Sequence, residues 1–213
     1  MNKLIHISLL ILFLVILSAC GKGDVTDEIH KYLEETVEIE QEFQANQEKV
    51  YELEQKDEEI YKKIMELASD EMDEAKELSE QAIELLDERL EYVKLERTSM
   101  EESREAFEQI EPLLEKISDK DQKLQMEKMY ETMINRYEAY EKVYEQYSES
   151  IRMTKELYSI FNEDKFNERD VYSVLENVNN SYDEVFKANE LFNNETALYN
   201  SLKQEYYEMN NEK

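Results

Sequence analysis

Arg136-Tyr137-Glu138-Ala139-Tyr140-Glu141-Lys142-Val143-Tyr144-Glu145-Gln146-Tyr147 decides the fold, because its tyrosines recur at alternating spacings of three and four. That is the period of one face of an α-helix. Extended in both directions, Met126, Tyr130, Met133, Tyr137, Tyr140, Tyr144, Tyr147, Ile151, Thr154, Tyr158 and Phe161 keep the alternation for five heptads, with six tyrosines on one face. Glu131, Arg136, Glu138, Glu141, Lys142, Glu145 and Glu149 fall off this seam and are expected to face water. Aromatic rings at such positions serve either as exposed platforms for sugars or as half-buried core with the hydroxyl reaching a polar partner. The helix offers no other apolar face, which favours core.

The same period runs through the rest of the chain. From about Thr26 to Leu67 the positions Ile29, Tyr32, Thr36, Ile39, Phe43, Asn46, Val50, Leu53, Asp57, Ile60, Ile64 and Leu67 form a narrow amphipathic seam. At 1.5 Å per residue this helix is about 60 Å long. Ser69-Asp70 marks the next start. Beyond it Met72, Ala75, Ala82, Leu86, Val93, Met100, Phe107, Ile110, Leu114 and Ile117 lie on or near a second series, widened by Leu78, Leu85, Tyr92 and Leu95. Ser79, Arg89, Glu96 and Ser103 make this seam more polar than the first, and Arg89 and Glu96 are expected to interrupt it on an accessible side. Pro112, the only proline, should break the helix near Glu111. Ser118-Asp119-Lys120-Asp121 then reads as a turn with an N-cap. After Asn162 to Asn167, the spacing Asn167-x-x-Asp170 offers a start for the last helix. Its seam is Val171, Leu175, Val178, Tyr182, Val185, Asn189, Phe192, Thr196, Tyr199 and Tyr206, thickened by Phe186, Leu191, Leu198 and Leu202. Residues 210–213 are expected to fray.

No segment alternates as a strand does. An isolated amphipathic helix leaves its apolar face wet, so the seams must meet one another. The expected fold is all-α: an elongated antiparallel bundle of three to four long helices, residues 26–209, with coiled-coil-like packing. A parallel coiled-coil dimer suits tyrosine-rich seams poorly, since two-stranded coils favour branched aliphatic residues there.

The N-terminus carries a different signal. Lys3 precedes the apolar run Ile7 to Leu17, whose eleven residues rise about 16 Å as a helix, short of the roughly 30 Å hydrocarbon core. A positive flank, a short apolar run and small residues before a cut site describe a cleaved secretory signal, residues 1–19. Leu17-Ser18-Ala19-Cys20 makes it a lipobox: a thiol at the cleavage position, small residues before it and an apolar residue three back. Cys20, the only cysteine, is then the lipidated N-terminus, carrying diacylglyceryl on its sulfur. Two acyl chains, palmitate-like in length, at about 0.8 kcal/mol per buried methylene, anchor stably. Gly21-Lys22-Gly23, which holds both glycines of the chain, reads as a tether over residues 20–25.

Composition excludes more than it selects. With Lys3 removed, 24 basic residues face 53 acidic ones, a net charge of about −29. Such a chain is repelled by nucleic acid and by anionic headgroups. A single cysteine rules out a disulfide framework. His30 is the one histidine beyond the signal, and no nucleophile elbow or second Glu-x-x-His accompanies it, so neither a hydrolytic triad nor a di-iron site can be assembled. Zinc sites lack ligands. Asp70-Glu71-x-Asp73-Glu74 and Glu34-Glu35 lack the glycine-turned loop of a calcium site and read as solvated faces. Lys116, Lys120, Lys123 and Lys128 form a basic patch with acidic neighbours, which reads as surface pairing. We therefore expect no enzyme, no cofactor, no metal and no small-molecule substrate.

Glu34-Glu35-x-Val37 with Glu42-Phe43, Arg136-Tyr137-Glu138-Ala139-Tyr140 with Tyr144 and Tyr147, and Asn189-Glu190-x-Phe192-Asn193 leading to Tyr199-Asn200 occur in that order behind the lipobox. In this the chain resembles the "putative cell-wall-binding lipoprotein" family of Firmicutes (YkyA-like), over most of its length after Cys20. The resemblance implies an α-helical lipoprotein on the outer face of the cytoplasmic membrane of a Gram-positive bacterium, and it transfers no ligand residues. The expected role is a non-catalytic tether or spacer that engages cell-wall glycan. The alternative is an adaptor or chaperone-like subunit for a helical or cationic envelope protein. Anionic wall polymers are electrostatically unfavourable partners unless divalent ions bridge or a local patch dominates.

Overall fold

A computed structural model describes residues 25–67, 71–161 and 168–211. Four long helices and one short one follow in order: α1 (Val25–Glu66), α2 (Met72–Glu108), α3 (Glu111–Leu114), α4 (Lys120–Ile160) and α5 (Glu168–Asn211). The expected all-α bundle of long helices is what the chain forms. The start signal Ser69-Asp70 and the segment 162–167 lie outside the described residues, as do residues 1–24.

Side-chain pairs fix the topology. Glu40 meets Ser103 and Asp57 meets Arg89, so α1 and α2 run antiparallel. Glu96 meets Tyr140 and Asp87 meets Lys155, so α2 and α4 do too. Gln125 reaches Leu202 while Arg136 reaches Thr196, which sets α5 antiparallel to α4. The result is an up-down-up-down bundle in which close backbone packing links α1 to α2, α2 to α4 and α4 to α5. The fourth side, between α1 and α5, is bridged by large side chains, with Phe43 against Phe192 and His30 against Tyr206 and Tyr207.

The reversal between α2 and α4 shows how the sequence directs a turn. Pro112 lies in the first turn of α3, where its missing N–H costs no hydrogen bond. Three-residue closures from Ile110 to Phe107 (3.0 Å), Leu113 to Ile110 (2.9 Å) and Lys116 to Leu113 (2.9 Å) tighten the passage. Asp119 then caps α4 in an extended conformation, accepting from the amides of Asp121 (3.0 Å) and Gln122 (3.1 Å). This cap was legible in Ser118-Asp119-Lys120-Asp121.

The core falls into two apolar stretches. One gathers Ile29, Leu33, Phe43, Phe107, Met126, Met133 and Phe192 at the end where α1 begins. The other gathers Val50, Ile60, Leu86, Val93, Ile151 and Val185 at the far end. Tyr144, partly buried, packs against both. The tyrosine stripe is core: Tyr137, Tyr140, Tyr147 and Tyr158 are buried, and Tyr130 and Tyr144 are partly so. Tyr130 stacks on Phe107 (5.4 Å, 15°) and Tyr140 packs edge-on to Phe43 (5.2 Å, 82°).

Three expectations need correction. Arg136, placed off the α4 seam, is buried; so are Arg89 and Glu96, which were expected on an accessible side of α2. Phe186, Leu191 and Leu198 do not thicken the α5 seam, being 46%, 38% and 50% exposed, because they flank the face that carries Val185, Phe192 and Tyr199. Leu95 likewise points outward, while Leu202 does pack on the core.

Candidate functional site

Cys20, with Leu17, Ser18 and Ala19 of the lipobox, lies outside the described residues. Among those described, the chemistry-bearing side chains collect in three places along the bundle.

The first is centred on Arg136. Its guanidinium grips Glu40 of α1 with two parallel bonds, Nη1 to Oε1 (2.7 Å) and Nη2 to Oε2 (3.0 Å). This fork-on-carboxylate geometry is the strongest form of ion pair. Arg136 Nε donates to Thr196 Oγ1 (3.0 Å), and the guanidinium stacks over the Phe192 ring at 5.0 Å. Ser103 Oγ donates to Glu40 Oε1 (2.9 Å) and lies 2.8 Å from the Tyr137 hydroxyl. A serine has one proton to give, so Tyr137 is the donor in that second bond. Burial opposes the Arg136 charge, but the Glu40 carboxylate more than offsets it and holds the group above its ordinary range. The pair is complete in charge and in hydrogen bonds.

The second place surrounds Arg89, and its charges do not match. Arg89 Nη1 reaches Asp57 Oδ2 at 3.4 Å and Nη2 reaches the Tyr182 hydroxyl at 3.5 Å, while Nε has no partner. Tyr158 donates to Asp57 Oδ1 (2.7 Å), Tyr147 donates to Glu54, and Tyr140 donates to Glu96 Oε2 (3.2 Å). Asp57 and Glu54 thus share one guanidinium, Glu96 lies close enough to Glu54 to feel its charge, and each of the three carboxylates takes a hydroxyl from the α4 stripe. Burial pushes Glu54 and Asp57 upward against the pull of Arg89. At Glu96 burial and the Glu54 charge outweigh the Tyr140 bond and push the carboxyl up to about 8.

The third place is where α1 begins and α5 finishes. His30 is half-buried, packed edge-on to Tyr206 (5.9 Å, 89°) and tilted against Tyr207 (5.4 Å, 41°), with Nε2 buried and unpartnered. Burial lowers its pKa, Asp27 and Glu34 oppose that, and Lys203 adds to it. No triad or di-iron partner is brought to it.

The remaining sequence candidates stay apart. Glu34, Glu35, Asp73 and Glu74 are exposed, and among the described residues no group of acids, histidines or cysteines could hold a metal ion. Asp70 is not described. Of the basic patch, Lys123 binds Glu115 (2.8 Å), as surface pairing requires, and Lys116, Lys120 and Lys128 are exposed. Among the described residues no helix is long and apolar enough to cross a membrane.

Glu40, Arg136 and Lys203 escaped the sequence reading, yet each sits at seam spacing: Leu33, Thr36, Glu40, Phe43 on α1; Met129, Met133, Arg136, Tyr140 on α4; Tyr199, Lys203, Tyr206 on α5. A charged residue in a heptad core position was the available signal.

Residues 24–209 match the profile of the family described as "Putative cell-wall binding lipoprotein". The chain is 31% identical over 194 residues to the "Uncharacterized lipoprotein YkyA" of Bacillus subtilis strain 168, covering 91% of this chain and 87% of that protein. The bundle also resembles the crystal structure of a "Conserved Protein of Unknown Function from Staphylococcus aureus", with a TM-score of 0.71 over 88% of this chain and 97% of that one. At 14% identity this is a likeness of fold alone.

Proposed function

The chain belongs to the "Putative cell-wall binding lipoprotein" family, and from that premise we propose that it is a non-catalytic, lipid-anchored spacer that engages wall glycan from the outer face of the cytoplasmic membrane of a Gram-positive bacterium. The observation that carries this reading is the family match, which spans the whole bundle. The bundle itself supports it. Its buried carboxylates each bond an arginine or a tyrosine hydroxyl inside the bundle, as groups that serve packing do.

In this reading Cys20 bears the diacylglyceryl anchor, and the tether expected over residues 20–25 gives way to α1 at Val25. Cys20→Ser should leave the bundle folded and release the protein from membranes; fatty-acid labelling of that variant would refute the anchor. Sedimentation of the lipoprotein with purified peptidoglycan, titrated with salt and repeated with divalent ions, tests the wall contact. Retention is expected; no retention under any of these conditions would contradict wall binding.

A specific observation favours a second reading. Phe186, Leu191 and Leu198, with Tyr172 at 72% exposure, leave apolar side chains in water along α5. An adaptor that docks an envelope protein would use such a helix, and in-cell crosslinking from Leu191 would then trap one dominant partner. A smear of unrelated products would contradict it.

A further inference from the structure

The α1–α5 side of the bundle lacks the close backbone packing of the other three. His30 of α1 meets Tyr207 of α5 there (5.4 Å), which identifies the heptad position that flanks this side on each helix. Steps of seven from His30 reach Val37, Gln44, Tyr51, Glu58 and Met65; steps of seven back from Tyr207 reach Asn200, Asn193, Phe186, Asn179 and Tyr172. In a coiled-coil-like bundle residues seven apart keep to one flank. The helices are antiparallel, so the two lanes pair in order, Gln44 level with Asn193 and Tyr51 level with Phe186. Phe43 against Phe192 (6.3 Å) sets the same register one residue away.

Exposed apolar side chains concentrate on these lanes as opposed pairs. Tyr51 is 47% exposed and Phe186 46%; two heptads on, about 21 Å away, Met65 is 59% exposed and Tyr172 72%. Single exposed apolar residues need no explanation, but two facing pairs on an open flank mark a surface that takes a partner. The rungs between and beside them are polar. Gln44, Asn193 and Asn179 are exposed amides, and Glu58, the one charged residue past the His30–Tyr207 rung, is held by Lys62 at 2.6 Å. In a chain with 53 acidic residues this is a nearly neutral strip. The acids stand just outside it, where Glu176, Asp183 and Glu190 line the next lane of α5, all exposed.

We propose that the open α1–α5 side binds an uncharged β-linked glycan bearing N-acetyl groups, with Tyr51 and Phe186 against its pyranose rings and Gln44 and Asn193 on its hydroxyls and acetamido groups. This deepens the wall-glycan reading and rests on it. An aromatic face covers the C–H face of a sugar ring, and a side-chain amide both donates and accepts, as hydroxyls and acetamido groups require. The heptad step, about 10 Å, is close to the length of a β-1,4-linked disaccharide, so ring and amide rungs recur in step with such a chain. A docked helix would need an apolar residue at every rung. An anionic polymer would be repelled by the acids alongside.

The probe is chitohexaose, an uncharged β-1,4-linked N-acetylglucosamine hexamer, titrated into the full lipidated chain in a detergent without a sugar headgroup and read by NMR of labelled tyrosine and phenylalanine rings. Saturable shifts are expected at Tyr51 and Phe186. Tyr51→Ala and Phe186→Ala should each weaken binding roughly tenfold, Gln44→Ala and Asn193→Ala about threefold, and Tyr51→Phe should keep it. Leu198→Ala should change nothing, because Leu198 shares the heptad lane of Glu205, which faces Gln125 of α4. Undiminished binding by the Tyr51→Ala, Phe186→Ala double variant would overturn this face and leave glycan binding standing. Retention on purified peptidoglycan without a response to chitohexaose would overturn the uncharged glycan as occupant and leave the wall reading standing; a native chain that binds neither overturns both. A response to soluble glycerol-phosphate polymer alone, or a dimer that Tyr51→Ala dissociates, would also overturn the proposal, giving the face to an anionic polymer or to a second copy.

Discussion

Arg136 and Arg89 are both buried in one bundle, on α4 and α2, yet their surroundings neutralise them differently. Arg136 meets one carboxylate with two short bonds, and its third nitrogen is satisfied by Thr196. Arg89 meets Asp57 at 3.4 Å, leaves Nε unpartnered and lies near Glu54 as well. One half of the core is balanced in charge; the other has more acid than base, with burial raising Glu54, Asp57 and Glu96 and each carboxylate taking a tyrosine hydroxyl. A buried carboxylate that lacks a cation is accommodated by a raised pKa, so the second half should respond to pH where the first does not.

The largest expected effect breaks the balanced half. Arg136→Met strands Glu40 among apolar side chains and should cost about 3–5 kcal/mol, read by urea unfolding at pH 7. Combining it with Glu40→Leu should recover most of that loss, since removing both charges is often close to neutral. Arg89→Met should cost less, about 2 kcal/mol at pH 7, because Asp57 and Glu54 can take up protons in response. Its cost should shrink on moving to pH 5; an unchanged cost would show that those acids take up no protons when Arg89 is lost. The smallest effect belongs to Tyr140→Phe, which deletes one donor to Glu96 and should cost about 1 kcal/mol. A tyrosine serving as an exposed sugar platform would show no stability change at all.

The comparison also shows what a heptad pattern can and cannot reveal. Asp57, Arg89, Glu96 and Ser103 stood on their seams in the sequence, and the polar character of the α2 seam was legible. Their burial was not, because spacing places a residue on a face without saying what lies across from it. Glu40 and Arg136 were hidden for a related reason: each neighbours an apolar position that fits the period nearly as well, Ile39 for the one and Tyr137 for the other. Pairs separated by 96 residues in the chain become visible only when four helices are assembled. Helix number, the Pro112 break and the Asp119 cap depend on local chemistry and were readable directly. The exposure of Phe186, Leu191 and Leu198 was not, since apolar composition widens a seam on paper whether or not a neighbouring helix covers it.

The claim that one half of the core keeps its acid protonated is tested most directly through Glu96. Its pKa is raised from an ordinary carboxylate value to about 8. The stability it contributes is therefore fully present below about pH 4.5 and is lost as pH rises to about 8. Surface repulsion in so acidic a chain changes with pH as well, so the reading is the difference between the protein and its Glu96→Gln variant, which keeps an acceptor for Tyr140 and never ionises. Urea unfolding of both from pH 5 to pH 9 should show the native protein losing stability relative to the variant until about pH 8, then running parallel to it. Curves that stay parallel throughout would mean that Glu96 is ionised within the bundle and would contradict the account.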